Sequence, residues 1–471
     1  SPRDIVNHPL PDLSGLRPGD VVALLGGASG FDAFSISALL HLLDAGMIVA
    51  PLTRGSGNLE TFLSAGKVDV LMRPGKTLRV RPERERHPIL DRLRDGEEGG
   101  IILFSSGTTG EPKAILHSAS RFLARYSTPR KPLRTLAFLL FDHIGGLNTL
   151  LHTLFNNGQL VIPRDRTPAG IFADLVDHEI ELLPASPTFL RMMLLGGVLD
   201  AKALTHLKLI TYGTERMDQP TLSELCAQLP HVDFRQTYGL SELGILRVKS
   251  RARDSLWMRL GGEGVSTRVE DNILCIRAEH RMLGYLNAPQ PFDVGGWLRT
   301  GDLVETDGDW LRIVGRLNDV INVGGLKVLP AEVEREALSY PDVLLAKARG
   351  GSNPLTGQHV ELQCQTAEPL ADKEAERRFT RDLKTFLASR LASHAVPQRL
   401  TVERVPVSHR FKQKSEKPCP FPFCQTLPLV PSPPSYRPYA SPYETNPQTS
   451  PDARKRAARP DPCAACPPAH T

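Results

Sequence analysis

Residues 104–118 read FSSGTTGEPKAILHS. The stretch follows the apolar run Ile101-Ile102-Leu103-Phe104, which has the length and branching of a buried strand. Hydroxyls and glycines then lead to a lysine, the composition of a loop that holds phosphate. Gly107 and Gly110 let backbone amides come close to oxyanions. Ser105, Ser106, Thr108 and Thr109 add hydroxyl donors, and Lys113 adds a mobile positive charge. The NTPase P-loop needs two glycines five apart with lysine beside the second. Gly107 plus five is Pro112, so that template fails. Taken alone, the stretch is also compatible with a solvent-exposed Ser/Gly/Thr turn.

Outward from this loop, short apolar runs rich in branched residues stand at 21–25, 48–52, 68–72, 101–104, 136–140 and 160–162. Helical patterns lie between several of them. In FDAFSISALLHLLDAG (31–46), Phe34, Ala38, Leu42 and Ala45 recur at three- and four-residue steps and Gly46 is the stop signal. Strand and helix in alternation predict an α/β fold with parallel-type sheets covered by helices. From about residue 258 short strands and turns (NILCIR, WLRTGDL, GDWLRIVG) predict a β-rich subdomain. After Gly315-Arg316 a smaller α+β pattern follows, with helices expected at 331–338 and 372–391. The expected organisation is a large N-terminal domain over 1–315, a small C-terminal domain over 316–414 and a tail over 415–471. That tail, with its preceding lysine, carries 15 of the chain's 40 prolines. Dense proline removes backbone donors, so disorder is expected there; a Pro-rich recruitment segment and a stretch without selected function are the alternatives.

Composition bounds the function. With 41% hydrophobic and 23% charged residues, the 471-residue chain reads as globular and soluble, long enough for roughly three domain-sized units. The net charge of +5 is spread along the chain, a slight lean towards anionic ligands that nucleotides satisfy without nucleic acid. No apolar run approaches the roughly 18 residues of a membrane span, and SPRDIVNHPLPDL lacks the layout of a signal peptide. A cytoplasmic enzyme is expected. Cysteines 226, 275, 364, 419 and 424 are scattered, and Cys463 and Cys466 form a lone CxxC without a second pair, so no zinc or redox site is expected.

Four further blocks give the loop its context: ITYGTERM (210–217), TYGLSEL (237–243), GGWLRTGDL (295–303) and GRLNDVINVGGLKVLPAEVE (315–334). In order and spacing, the five blocks resemble those of the adenylate-forming superfamily: acyl- and aryl-CoA synthetases, nonribosomal peptide adenylation domains and luciferases. The resemblance covers about residues 16–414, and implies that the chain starts short of an N-terminal segment most relatives carry. It implies ATP-dependent activation of a carboxylic acid to an acyl-adenylate, with release of pyrophosphate and Mg²⁺ as the metal. By this resemblance, the loop from Ser105 to Lys113 holds the β- and γ-phosphates, Glu242 ligates Mg²⁺, and Ser241 replaces the usual threonine near the α-phosphate. Tyr238, after which Gly239 follows, stacks on adenine against a wall of Gly213, Thr214 and Glu215. Asp302 accepts from the ribose hydroxyls and Arg316 adds a ribose or phosphate contact. The small C-terminal domain is implied to be mobile about a hinge at Asn318, where relatives have aspartate or lysine. The 322–328 loop then faces the acceptor thiol.

The late catalytic lysine of the family maps to Lys412 in VPVSHRFKQK (405–414), six after Pro406 but with Phe411 in place of glycine; Lys414 is the fallback, and a solvated basic stretch the alternative. FDHIGGLNTLL (141–151) resembles an aromatic-His-x-x-Gly segment that places His143 near the substrate carboxylate; a structural histidine at a strand end is the plainer reading. Asp142 in the same segment raises the option of an amino-acid substrate. Only 12 residues separate Leu286 from Arg299, leaving no room for the insertion of fatty-acyl-AMP ligases. That favours thioester formation over release of the bare adenylate, and transfer to the thiol of CoA is the leading reading. A stand-alone enzyme that loads the phosphopantetheine of an acyl or peptidyl carrier protein in trans is the second reading, and a degenerate relative that binds nucleotide without turnover the third.

Overall fold

Val21–Leu25, Ile48–Leu52, Val70–Arg73 and Gly100–Ser106 lie side by side in parallel, at the centre of a computed structural model that describes residues 12–27, 30–55, 57–106 and 111–407. Successive residues of these strands feed two different cores. Val22, Leu24, Val49, Ile101 and Leu103 point to helices Ala33–Asp44 and Ile144–Phe155. Val21, Ala23, Ile48, Ala50 and Ile102 point to helices Leu59–Ala65 and Pro88–Asp95. A sheet buried on both faces needs apolar residues at every position, which is why these runs do not alternate with polar residues.

The expectation of a parallel-type sheet needs one amendment. Both edges of this seven-stranded sheet are antiparallel: Lys76–Arg79 turns back on Val70–Arg73, and Pro112–Ser118 turns back on Gly100–Ser106 and then pairs with Gly284–Tyr285. The loop quoted at the outset is therefore a hairpin connection, with Ser105 opposite Lys113. A second sheet, of five strands in the order Asp233–Gln236, Leu209–Tyr212, Leu182–Ala185, Arg134–Leu136, Gln159–Val161, is parallel throughout. The apolar run at 136–140 is a strand only to Leu136. Its neighbour ends at Val161, two residues before Pro163, which has no amide to donate; Phe138 N then turns back to Leu136 O at 2.9 Å.

The β-rich part is a seven-stranded antiparallel sheet running from Tyr238–Leu240 to Val265–Glu270, with its own apolar core. Residues 321–400 hold a further core between a five-stranded sheet and the helices Pro330–Leu338 and Lys373–Ala388. Both helices start and stop close to the expected positions; Asp372 caps the second by accepting from Glu374 N and Ala375 N. Arg191, on helix Pro187–Leu195 and 7% exposed, ties this last part to the rest. Its guanidinium donates to the carbonyls of Leu338 (3.0 Å), Val343 (2.8 Å) and Leu344 (2.6 Å). Arg216 Nη2 donates to Ala331 O at 2.9 Å. The described residues all fall within one compact unit, Ser1–Glu416. None of their helices is long and apolar enough to cross a membrane.

Candidate functional site

Ser105 and Lys113 leave the hairpin strands toward a cavity of about 1920 Å³. Lys113 Nζ stands 5.1 Å from the centroid of the Tyr285 ring, a cation–π placement. Tyr285 is held there because its strand pairs it with Ile115, two residues beyond Lys113. Asn287 fixes the same strand end, accepting from Ala114 N at 2.9 Å and donating to Pro112 O at 2.8 Å. Gly107, Thr108, Thr109 and Gly110, and the side chain of Ser106, lie outside the described residues.

Glu242 sits in the turn between Tyr238–Leu240 and Gly244–Ser250. Tyr285 Oη donates to its Oε1 at 2.7 Å, so one tyrosine touches both the expected phosphate lysine and the expected metal carboxylate. Burial, then the Glu242 charge, pushes the Tyr285 hydroxyl well above its ordinary pKa, so it is a donor at neutral pH. The turn is anchored from below by His117, 1% exposed, whose Nε2 lies 2.7 Å from Ser241 O. Burial pushes the His117 pKa down to about 3; the neutral ring donates to that carbonyl. Among the described residues, no group of three or more His, Cys, Asp or Glu side chains gathers as a metal cage. A single carboxylate oxygen pair at the cavity wall fits a hard divalent ion whose other ligands are phosphate oxygens and water.

The expected nucleotide wall lies where two parallel strands end together. Leu209–Tyr212 runs into Gly213-Thr214-Glu215, and Asp233–Gln236 runs into Thr237-Tyr238. Tyr212 O accepts from Thr237 N at 2.7 Å, which draws the chains so close that a Cβ on Gly213 would lie 2.2 Å from Thr237 Oγ1. Thr214 has φ 71°, the left-handed region, and Glu215 Oε2 accepts from Thr188 Oγ1 at 2.7 Å. Asp302 is 3% exposed and takes Tyr238 Oη at 2.6 Å on one oxygen and Arg316 Nε at 2.9 Å on the other. Antiparallel register places Asp302 directly opposite Arg316. Burial and the Asp302 charge raise the Tyr238 hydroxyl well above its usual range.

His143 is at a helix start rather than a strand end. It precedes Ile144–Phe155, and its Nδ1 accepts from Gly145 N at 3.0 Å, which places the proton of the neutral ring on Nε2. It lines the cavity; Asp142 does not. The Asp142 carboxylate is 3% exposed and accepts from Thr53 Oγ1 at 3.2 Å, so it offers the cavity no partner for an amino group.

Ser105, Lys113, His143, Thr214, Glu215, Tyr238, Gly239, Ser241, Glu242, Asp302 and Arg316 all line this one cavity. Gly213 shapes it from behind through the contact with Thr237. The 322–328 loop does not line it, and Asn318 lies exposed in the turn Leu317–Asp319. Phe411, Lys412 and Lys414 lie outside the described residues. Tyr285, His117 and Asn287 were not foreseen; Gly284-Tyr285 sits in the turn-rich GYLNAPQ, the one local signal that a side chain there is specially placed.

The profile of the family described as AMP-binding enzyme matches residues 91–261. The chain is 30% identical over 330 residues to the fatty acid–[acyl-carrier-protein] ligase ScoC of Streptomyces coeruleorubidus, a match covering 63% of this chain and 62% of that protein. It is 26% identical over 295 residues to 4-coumarate–CoA ligase 1 of Oryza sativa subsp. japonica, covering 55% and 52%. The matched region thus spans between about half and three fifths of the length of these relatives. Among solved structures, the amide bond synthetase McbA from Marinactinospora thermotolerans superposes with TM-score 0.67 at 20% identity, covering 85% of this chain and 89% of that one. The anthranilate CoA ligase AuaEII superposes with TM-score 0.68 at 18% identity, covering 85% and 86%. At those identities the structural likeness speaks to the fold. The profile and the relatives agree with the resemblance carried by the five sequence blocks: over residues 91–261 the chain is similar to the AMP-binding enzyme family, and its fold is that of the solved structures above.

Proposed function

We propose that the protein activates a carboxylic acid with ATP and passes the acyl group to a thiol. The observation that carries this reading is the convergence of Lys113, Glu242, the Tyr238–Asp302–Arg316 cluster and His143 on a single cavity. The reaction brings two anions together, so its catalyst must position them and offset their repulsion. In the first step a carboxylate oxygen attacks the α-phosphorus, and the bond from that phosphorus to the pyrophosphate oxygen breaks. Lys113 and the Ser105–Gly110 loop take the β- and γ-phosphates, and Ser241 the α-phosphate. Asp302, fixed by Tyr238 and Arg316, orients the ribose, with adenine between Tyr238 and the Gly213–Glu215 wall. Glu242 is the residue that would hold Mg²⁺, which when bound neutralises phosphate charge. His143 borders the acid, and Lys412, or Lys414 in its place, bridges acid and α-phosphate.

In the second step the thiol sulfur attacks the acyl carbon, the bond from that carbon to the phosphate oxygen breaks, and AMP departs. CoA is the acceptor in this reading. The 316–414 part turns about Asn318 between the steps and presents the 322–328 loop to the thiol. The reaction is assigned to the cytoplasm. A carrier-protein phosphopantetheine is the second reading, favoured by the fatty acid–[acyl-carrier-protein] ligase among the relatives. A chain that binds nucleotide without turnover is the third.

Pyrophosphate release across a panel of carboxylic acids, with and without CoA, tests all three. Acid-dependent pyrophosphate together with a CoA thioester is expected. Pyrophosphate without thioester selects the carrier-protein reading. No acid-dependent pyrophosphate from any panel member selects the nucleotide-binding one.

A further inference from the structure

The cavity is not electrically uniform. Every carboxylate on its wall comes from residue 215 onward. The wall built by the segment after helix Ala119–Ala124 and by helix Ile144–Phe155 carries Arg125, Arg130, Lys131, His143 and His152, and no acid.

Helix Ile144–Phe155 faces the cavity with an unusual stripe. Asn148, Thr149, His152 and Thr153, at three- and four-residue steps, line it, while Leu147, Leu150 and Leu151 fill the core behind. The two threonine hydroxyls are spent on their own helix: Thr149 Oγ1 donates to Gly145 O at 2.8 Å and Thr153 Oγ1 to Thr149 O at 2.7 Å. The Asn148 amide differs. Its Oδ1 accepts from Tyr126 Oη at 3.1 Å, which fixes its Nδ2 donors as the end left for a ligand.

Arg125 precedes that tyrosine. Its Nη2 donates to His280 O at 3.0 Å, and its guanidinium stacks 4.5 Å from the Phe122 ring. Nε is buried with no acceptor. Among the described residues no carboxylate pairs with it, and desolvation pushes its pKa down against only a smaller opposing effect of Tyr126. It reaches past Gly244, two residues beyond Glu242; a Cβ there would lie 1.4 Å from Nη1, so any other residue would make the guanidinium shift from this position. A half-buried guanidinium held without a counterion carries a desolvation cost that a bound anion would offset.

We propose that the missing counterion is part of the substrate: Arg125 and the Asn148 amide receive a second anionic group, of the carboxylate class, at the far end of the acid that is activated. This deepens the adenylation reading and rests on it. The substrate is then a dicarboxylic acid, and a plain alkyl chain is a poor occupant.

The test compares matched pairs of acids, adipate with hexanoate and terephthalate with 4-methylbenzoate, by pyrophosphate release without CoA. The wild-type chain is expected to favour the diacid of at least one pair in kcat/KM. Arg125→Met should raise the KM for that diacid by about ten- to a hundredfold, the worth of a charge-assisted pair, and leave the KM for ATP unchanged. Arg125→Lys, which keeps the charge, should recover part of the loss. Equal or better turnover of the monoacids in both pairs overturns the inference and leaves adenylation standing. So does a loss in Arg125→Met that is the same for every acid, which marks a structural role. An Arg125→Met effect absent from that assay and confined to the KM for CoA, read from thioester formation with CoA added, overturns it too, assigning Arg125 to a phosphate of the acceptor. Silence of all four acids, where the wider panel responds, also overturns it; silence of every acid overturns adenylation itself.

Discussion

The Tyr285 hydroxyl donates to Glu242 Oε1 at 2.7 Å while Lys113 stands 5.1 Å over the same ring. Removing the hydroxyl frees the carboxylate to swing without disturbing the acid-binding wall. Tyr285→Phe is expected to raise the Mg²⁺ concentration for half-maximal pyrophosphate release about tenfold, the worth of a hydrogen bond to a charged group, with the KM for the acid unchanged; a Mg²⁺ titration of both proteins checks this. His117 makes a separate prediction about pH. Its folded pKa, about 3, lies below the unfolded value of 6.5, so below pH 6.5 the unfolded chain takes up a proton that the folded chain refuses. Its contribution to stability is therefore intact above pH 6.5 and lost progressively as pH falls towards 3. Urea midpoints measured across that window should decline, and His117→Gln should show a shallower decline. Neither residue was legible in the sequence, whereas Glu242 and Asp302 were. The latter sit inside recognisable blocks; Tyr285 and His117 act across the fold, on residues some 43 and 124 positions away. Packing of the first sheet's edge against the Tyr238–Ser250 hairpin creates that proximity, and no local pattern encodes it.

At the scale of elements, helix Ile144–Phe155 shows how closely the site is fitted to its scaffold. Gly146 lies in its first turn, where a Cβ would meet Leu140 O at 1.9 Å and Leu139 O at 2.7 Å. Both are main-chain atoms, so nothing flexible can yield. Gly146→Ala should therefore destabilise the protein by about 1–3 kcal/mol through overpacking, despite the better helix propensity of alanine. Thermal unfolding measures the loss. The double-faced strands at 21–25 and 48–52 were readable because every residue is apolar and each run has the length of a strand. The run at 136–140 was equally apolar, yet its ladder stops at Leu136 because the neighbouring strand ends short of Pro163. Apolar burial was legible there; hydrogen-bond partnership, which depends on the next strand, was not.

For the whole molecule, the alternation of strand and helix, the β-rich part and the small α+β part all follow the sequence reading, while the hairpin edges of the first sheet do not. Antiparallel return requires only a short connection, and a loop rich in glycine and serine serves a hairpin as well as a strand-to-helix turn. The contact between the large part and residues 321–400 was also invisible, since nothing marks Arg191 within PTFLRMMLL. Its guanidinium holds three carbonyls, so Arg191→Met should leave them without donors and loosen the small part. Limited proteolysis should then cut faster near the exposed turn Leu317–Asp319, with unchanged fragments at lower protease. An unchanged cleavage rate would show that the apolar contacts suffice.

Arg191 and Arg216 share one further property: on residues 331–344 both grip main-chain oxygens and no side chain. A clasp of that kind is blind to sequence. The side chains of the segment can drift without breaking the dock, so the two parts are free to diverge at different rates. For these hydrogen bonds, a small part grafted from a distant relative needs to reproduce only the backbone path past Arg191 and Arg216.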